Sequence, residues 1–382
     1  MRIKMFAPLR IRCGISDYSR LLMAALSNVP DVIVDGTVAP PDVAVTGRGA
    51  VDLPRYAVDE HRFRSLGQQL NVGVNDSPID IAHIQHQYFF FGGVAPHKSH
   101  IRALLNAIRV PLVMTVHEVV APVSPLSILS AAAIRLANRR NYVHPAIGAI
   151  FVHTSQDLRS LLAVGVPKSK LHVVTHGVPQ PDALPNANAA RRDLGLEGRR
   201  VVTLFGFLST KKGHHVALDA IRRLPSDVLL LFAGDQHPDD HTEYVSSLRA
   251  EIEGSDLSNR VRITGYLAAD QIPVIMAATD IAIAPFIQSS GSGSLANLIA
   301  YERPIVASDI PPHREIAAEE PACLALFEAG SGDALAGQIL RLLGDSDARI
   351  AFQSAARTYA ARHSYAQMAR ETVEIYAAVR AM

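Results

Sequence analysis

Short runs of apolar, mostly β-branched residues alternate with stretches of helical period along the whole chain. Runs at 3–7, 32–34, 81–85, 112–116, 149–153 and 171–175 predict one series of strands. Runs at 201–205, 228–233, 261–264, 281–285, 305–308 and 324–327 predict a second. Between them, 18–28, 99–108, 155–164 and 215–224 space their apolar residues as helices do. Apolar strands joined by helices make parallel sheets covered on both faces. The pattern therefore predicts an α/β protein of two doubly wound domains facing across a cleft. Ligands in such sheets sit beyond the carboxyl ends of the strands.

Residues 177–186, GVPQPDALPN, interrupt the alternation with prolines and turn-formers. They predict a first domain over 1–178, a linker over 179–195 and a second domain over 196–364. A last helix at 365–382 carries Met368, Val373, Ile375 and Tyr376 on its apolar side. It either completes the second domain or crosses back to the first.

Composition narrows the function classes. The chain has 382 residues, 48% hydrophobic and 19% charged, with a net charge of +1. That balance supports sizeable cores and excludes the basic footprint of a nucleic-acid binder. Cys13 and Cys323 form no metal or disulfide pattern and suit a reducing cytoplasm. The opening MRIKMF reads as a buried strand, too short an apolar run for a signal peptide. No run approaches the roughly 18 apolar residues of a membrane span.

The densest signal is PFIQSSGSGSLANLIAYERPIVASDIPPHRE, residues 285–315. A strand end runs into small residues, Ser289, Ser290, Gly291, Ser292, Gly293 and Ser294, which open an apolar helix. Small residues at such a turn let backbone N–H groups approach an anion, and the helix N-terminus adds partial positive charge. The bland reading is an ordinary strand-to-helix turn.

Taken in order, the pieces along the chain resemble the retaining glycosyltransferases of family 4, which have the GT-B fold of two Rossmann-like domains. Pro8, Cys13-Gly14-Ile15 and Tyr18-Ser19 resemble the family's first glycine loop. DIAHIQHQY from Asp80, with Phe91-Gly92-Gly93, resembles its second loop, and TVHE from Thr115 its third. HTS from His153 and HVVTHGV from His172 resemble the end of the first domain. Gly206, Lys212-Gly213, GDQHP from Gly234, GYL from Gly265, ATDI from Ala278 and the Ser/Gly loop resemble the second. The family's final helix returns to the N-terminal domain, which favours the crossing for 365–382.

The resemblance implies transfer of a sugar from a nucleotide-diphosphate donor, UDP- or GDP-linked, to a hydroxyl acceptor with retention. It implies no cofactor, no metal and no protein nucleophile, because the leaving diphosphate takes the acceptor proton. Lys212 and the loop Ser289–Ser294 would hold the phosphates and sugar, with Gly14 and Gly206 allowing close approach. Asn297 would reach the ribose, and Gly265, Tyr266 and Leu267 would offer backbone atoms to the base. His117 matches the histidine that hydrogen-bonds the transferred sugar. His83, His86 and Tyr88 are placed on the acceptor side; with Gln85 and Gln87, the two histidines alternatively read as polar residues at a strand end. The acceptor would be a glycan, lipid-linked or small molecule in polysaccharide or glycoconjugate biosynthesis, at a cytoplasmic location or the inner face of the membrane. Residues 127–142, closing with Arg139-Arg140, read either as an amphipathic helix meeting that surface or as a helix packed on its own domain.

Three positions depart from the family pattern. Ser289 and Asn297 stand where many members carry paired glutamates, and Phe207 where an arginine is usual. Ser292-Gly293-Ser294-Leu295 matches a branch that replaces the glutamates with a Ser-Gly-Thr-Leu type loop. The departures keep a second reading open: a non-catalytic GT-B protein serving as a binding or partner subunit. A nucleotide-sugar epimerase of the same architecture would need acid/base carboxylates, and no convincing set of these is evident.

Overall fold

The computed structural model describes residues 1–10, 13–39, 60–73, 77–93, 99–120, 128–181, 183–236 and 243–382. The chain divides into two units, Met1–Gly177 with Tyr365–Met382, and Val178–Ser364. Each is built on a six-stranded sheet whose paired strands are all parallel.

In the first unit the strands are β1 (Arg2–Phe6), β2 (Ile33–Val38), β3 (Ile81–His86), β4 (Leu112–Val116), β5 (Ile147–Val152) and β6 (Leu171–Val173). They lie in the order β2-β1-β3-β4-β5-β6. Helices α1 (Gly14–Ser27), α2 (Glu60–Gln69), α3 (Ile101–Leu105), α4 (Ile128–Tyr142) and α5 (Ser155–Ala163) connect them. Every residue of β3 and β4 is buried, as expected of central parallel strands. β2 runs on through Asp35, Gly36 and Thr37, which carry no apolar signal and extend the strand beyond its expected end.

The second unit contains β7 (Arg200–Phe205), β8 (Val228–Ala233), β9 (Val261–Ile263), β10 (Ile281–Ala284), β11 (Ile305–Ser308) and β12 (Ala325–Phe327), ordered β12-β11-β10-β7-β8-β9. Its helices are α6 (Ala187–Asp193), α7 (His214–Ile221), α8 (Tyr244–Glu253), α9 (Ile272–Ala278), α10 (Gly293–Ala300), α11 (Pro311–Glu319), α12 (Gly332–Gly344) and α13 (Ser346–Arg362). Stretch 179–195, expected as a linker, belongs to this unit instead. Asn186 Oδ1 accepts from the N–H groups of Asn188 and Ala189 (3.0 and 3.1 Å), capping α6. Ala190 is buried and Arg191 pairs with Asp280 at 2.6 Å. The prolines mask a short helix that the cap and this ion pair hold down. Asp182 lies outside the described residues.

Helix α14 (Tyr365–Arg380) packs in the first unit. It buries Tyr365, Met368, Ala369, Thr372, Tyr376 and Val379, spaced to form one stripe. Of these, Tyr365, Met368, Ala369, Tyr376 and Val379 share a core with Ile3, Met5, Leu22 and Phe151. Over 131–142 of α4, Ala137, Asn138, Asn141 and Tyr142 are buried, while Arg135, Leu136, Arg139 and Arg140 are exposed. Residue 127, where the amphipathic pattern begins, lies outside the described residues, as do His237 and Pro238 of the GDQHP motif. No helix among the described residues is long and apolar enough to cross a membrane.

Candidate active site

The second sheet changes direction between β7 and β10. The chain builds β7, β8 and β9 outward to one side, then returns to add β10, β11 and β12 on the other. A crevice opens at the carboxyl ends of the two strands flanking such a switch. Gly206, just after β7, has φ +119°, and a Cβ there would stand 2.4 Å from Ser294 Oγ. Only glycine lets the strand end and the start of α10 come this close.

Ser292 caps α10, its Oγ accepting from Leu295 N–H at 3.3 Å. The same oxygen accepts from Lys212 Nζ at 3.4 Å. Lys212 ends a 3-10 turn, Thr210–Lys212, that Gly213 closes at φ +70°. A Cβ on Gly213 would fall 1.9 Å from the carbonyl oxygen of Pro285, and Ile287 N–H donates to Lys211 O at 2.9 Å. The lysine is thus built into the exit of β10 instead of swinging free at a helix start. Gly206, Lys212 and the Ser292–Ser294 part of the Ser/Gly loop, three separate motifs in the sequence, come together here. A cation and a capped helix N-terminus side by side can receive an anion.

The remaining donor-side candidates sit nearby with less commitment. Asn297 Nδ2 donates back to Gly293 O at 2.8 Å, and Ser289 Oγ donates to Ser290 O at 2.7 Å. Both side chains are therefore turned into their own segment. Ser290 and Gly291 are half-buried within the loop. Gly265, Tyr266 and Leu267 follow β9, where Thr264 Oγ1 accepts from Gly234 N–H at 3.0 Å and ties the ends of β8 and β9 together. Tyr266 is 53% exposed.

Burial pushes Lys212 down from the usual lysine range to about 7. His214 and His313, also buried, are pushed to about 3 and about 4, first by desolvation and then, among other charges, by the lysine. Nζ of Lys212 lies 3.7 Å from the centre of the Phe286 ring. Phe286 and His313 escaped sequence reasoning. Their signal was positional: both follow strand ends, β10 and β11, that flank the Ser/Gly loop.

In the first unit, His117 follows β4 and is half-buried. Its Nε2–H donates to Gln85 Oε1 at 2.9 Å, which leaves Nδ1 with the lone pair. Burial, then His153, His176, His83 and His86, hold its pKa well below the ordinary value, so the ring is neutral. Tyr18 stands at the middle of a ring cluster, 4.8 Å from His117, 5.2 Å from His153 and 5.1 Å from His176. A Cβ on Gly14, the first residue of α1, would meet no protein atom.

The acceptor-side assignments require correction. His83 is fully buried, with Tyr376 Oη 2.5 Å from Nδ1 and Thr115 Oγ1 2.8 Å from Nε2. His86 is fully buried too, stacked on Phe91 and edged by Tyr88 and Tyr142. Tyr88 is 2% exposed and donates to Asn138 Oδ1 at 2.7 Å. All three are core residues, because α4 and α14 cover the faces of β3 and the turn after it.

Residues 199–345 match the family model described as glycosyl transferases group 1. A D-inositol 3-phosphate glycosyltransferase of Corynebacterium urealyticum is 28% identical over 224 residues, 56% of this chain and 53% of that protein. A mannosylfructose-phosphate synthase of Agrobacterium fabrum is 27% identical over 126 residues, 31% of this chain and 28% of that protein. The chain thus spans about half, or less, of the curated relatives it matches. Among solved structures, HepE of Anabaena in complex with UDP-glucose superposes with a TM-score of 0.73 at 17% identity, covering 99% of this chain and 100% of that one. Sucrose-phosphate synthase from Thermosynechococcus elongatus gives 0.73 at 16%, covering 100% and 99%. The chain has the two-domain α/β fold of these GT-B proteins, and its second unit carries over residues 199–345 the sequence pattern of glycosyl transferases group 1.

Proposed function

We propose that this protein is a retaining, metal-independent glycosyltransferase that moves a sugar from a nucleotide-diphosphate donor to a hydroxyl acceptor. The observation that carries the reading is the meeting of Lys212 with the capped N-terminus of α10 at the switch point of the second sheet. Negative charge grows on the diphosphate as the glycosidic bond breaks, and fixed donors there lower the barrier. The acceptor oxygen attacks the anomeric carbon, the carbon–phosphate-oxygen bond breaks, and the departing oxygen takes the acceptor proton. His117, held neutral at the carboxyl end of β4, is assigned to a hydroxyl of the transferred sugar.

UDP is the first nucleotide to test, since HepE is described with UDP and UDP-glucose. The pathway proposed is polysaccharide or glycoconjugate assembly in the cytoplasm. The outward arginines of α4 support weak contact with an anionic membrane face. Absence of binding to anionic vesicles at low salt would remove that last element.

Calorimetry with UDP, GDP, ADP and dTDP in metal-free buffer tests the reading. One nucleotide should bind, and Lys212→Ala should weaken it about 10- to 100-fold. The inward turn of Ser289 and the presence of Phe207 favour the alternative, a non-catalytic binding subunit. A folded protein that binds none of the four nucleotides would decide for it.

A further inference from the structure

Among the described residues, Lys212 is a cation without a carboxylate partner: no Asp or Glu forms an ion pair with it. The titratable groups around it come from three elements. Lys211 precedes it on the same turn, His214 opens α7, and His313 faces it from α11, with Asp309 just ahead of that helix. Both histidines are held neutral near pH 7, and Asp309 is already paired with Arg314. Apart from the hydroxyl of Ser292, the electron-rich group on the ammonium is the face of Phe286, 3.7 Å from the ring centre.

That ring is fixed. Phe286 is 1% exposed, its carbonyl accepts from Ser308 Oγ at 2.5 Å, and its ring packs against His313 with centroids 5.5 Å apart. Ser308 O in turn accepts from His313 Nδ1 at 2.8 Å, locking the imidazole behind the ring. An aromatic face attracts a cation without neutralising it. A carboxylate in the same place would hold the lysine more strongly, but every incoming phosphate would have to compete with it.

We propose that Phe286 is a positioning residue for Lys212: its ring face, in place of a counter-ion, holds the ammonium at the Ser292–Ser294 loop and leaves the charge uncompensated until a diphosphate arrives. The identity of the ligand rests on the nucleotide-sugar reading; the hold of the ring on the lysine does not.

The test separates the two. The chain contains six lysines, so the Lys212 side-chain NMR signal can be assigned with Lys212→Arg and titrated without nucleotide. Removing the ring by Phe286→Leu or Phe286→Met should lower the Lys212 midpoint by about 0.4 to 1.5 pH units, whereas Phe286→Tyr should leave it in place. At pH 7.5 the ring-less variants should bind UDP about two- to 25-fold more weakly, because less of the lysine is charged. Uridine, which lacks the diphosphate, should bind all variants alike. A midpoint that stays or rises in Phe286→Leu and Phe286→Met overturns the proposal, as does an equal loss of UDP and uridine. If wild type binds no nucleotide while the midpoint still falls, the donor reading fails and the positioning role stands.

Discussion

Gln85 Oε1 lies 2.9 Å from His117 Nε2, joining the neighbouring strands β3 and β4 at their carboxyl ends. An amide oxygen only accepts, so this contact fixes which imidazole nitrogen carries hydrogen. Behind Gln85 the chain of contacts continues through His83 to Tyr376 on α14. The orientation of His117 is thereby set by three elements of the first unit. Replacing Gln85 with Leu should reduce kcat about tenfold or more through tautomer loss, with little change in donor KM, whereas His117→Ala should cost about 100-fold. Steady-state kinetics with the donor identified by calorimetry would check both. An unchanged kcat in Gln85→Leu would leave the amide a packing role only.

Lys212 should be costly to the fold and necessary to the site. Its folded pKa lies below that of an exposed lysine, so between about 7 and the ordinary lysine value the unfolded chain binds the extra proton and stability rises with pH. Below about 7 the full cost of burying the charge is present. Lys212→Met should therefore raise stability at neutral pH by on the order of 1 kcal/mol, a few degrees in Tm, while weakening nucleotide binding. A fall in Tm would contradict this. For wild type, affinity for UDP-glucose, whose phosphates do not titrate near neutrality, should decrease as pH rises above about 7.

Acid should loosen the first unit before the second. Burial holds His83, His86 and His176 near 3 and His153 near 4, and His117 is also strongly lowered. Their folded pKa values lie below the unfolded ones, so stability is lost as pH falls through the unfolded histidine value near 6.5. Each such group contributes up to about 1.4 kcal/mol per pH unit. Among the described residues the second unit carries two comparable groups, His214 and His313. Hydrogen exchange at pH 7 and pH 5, corrected for intrinsic rates, should show a greater loss of protection in β3, β4 and β5 than in β7, β8 and β10. Equal losses would count against it.

At Gly206 even one methyl group should be felt. Gly206→Ala adds a Cβ against Ser294 Oγ at a backbone angle that alanine rarely adopts. The expected result is a loss of about 1–3 kcal/mol in stability and a raised donor KM, because the start of α10 must retreat. A parallel Gly337→Ala inside α12, where a Cβ meets open space, should instead raise stability by about 0.5–1 kcal/mol and leave the donor KM unchanged.

The apolar runs made the sheets legible, since β4, β8 and β11 are buried at every position and bounded by turn-formers. The Ser/Gly loop was legible for a local reason: Ser292 caps the helix that its own sequence opens. What stayed hidden depends on partners distant in sequence. The hydroxyl that satisfies His83 belongs to Tyr376, 293 residues later, so a polar strand end and a core histidine look alike in the sequence. α6 was hidden by its prolines, and Phe286 by the apolar run it extends, where nothing distinguishes a core ring from one under a lysine.

The placement of α14 also bears on synthesis. Tyr376, Met368 and Ala369 complete a core whose members include Ile3, Met5 and Leu22, which are translated ahead of the whole second unit. The first unit must wait, with that sheet face uncovered, while the whole of Val178–Ser364 is translated. Its nascent form is the species that a chaperone would meet, and α14 acts as the latch that ends that exposure.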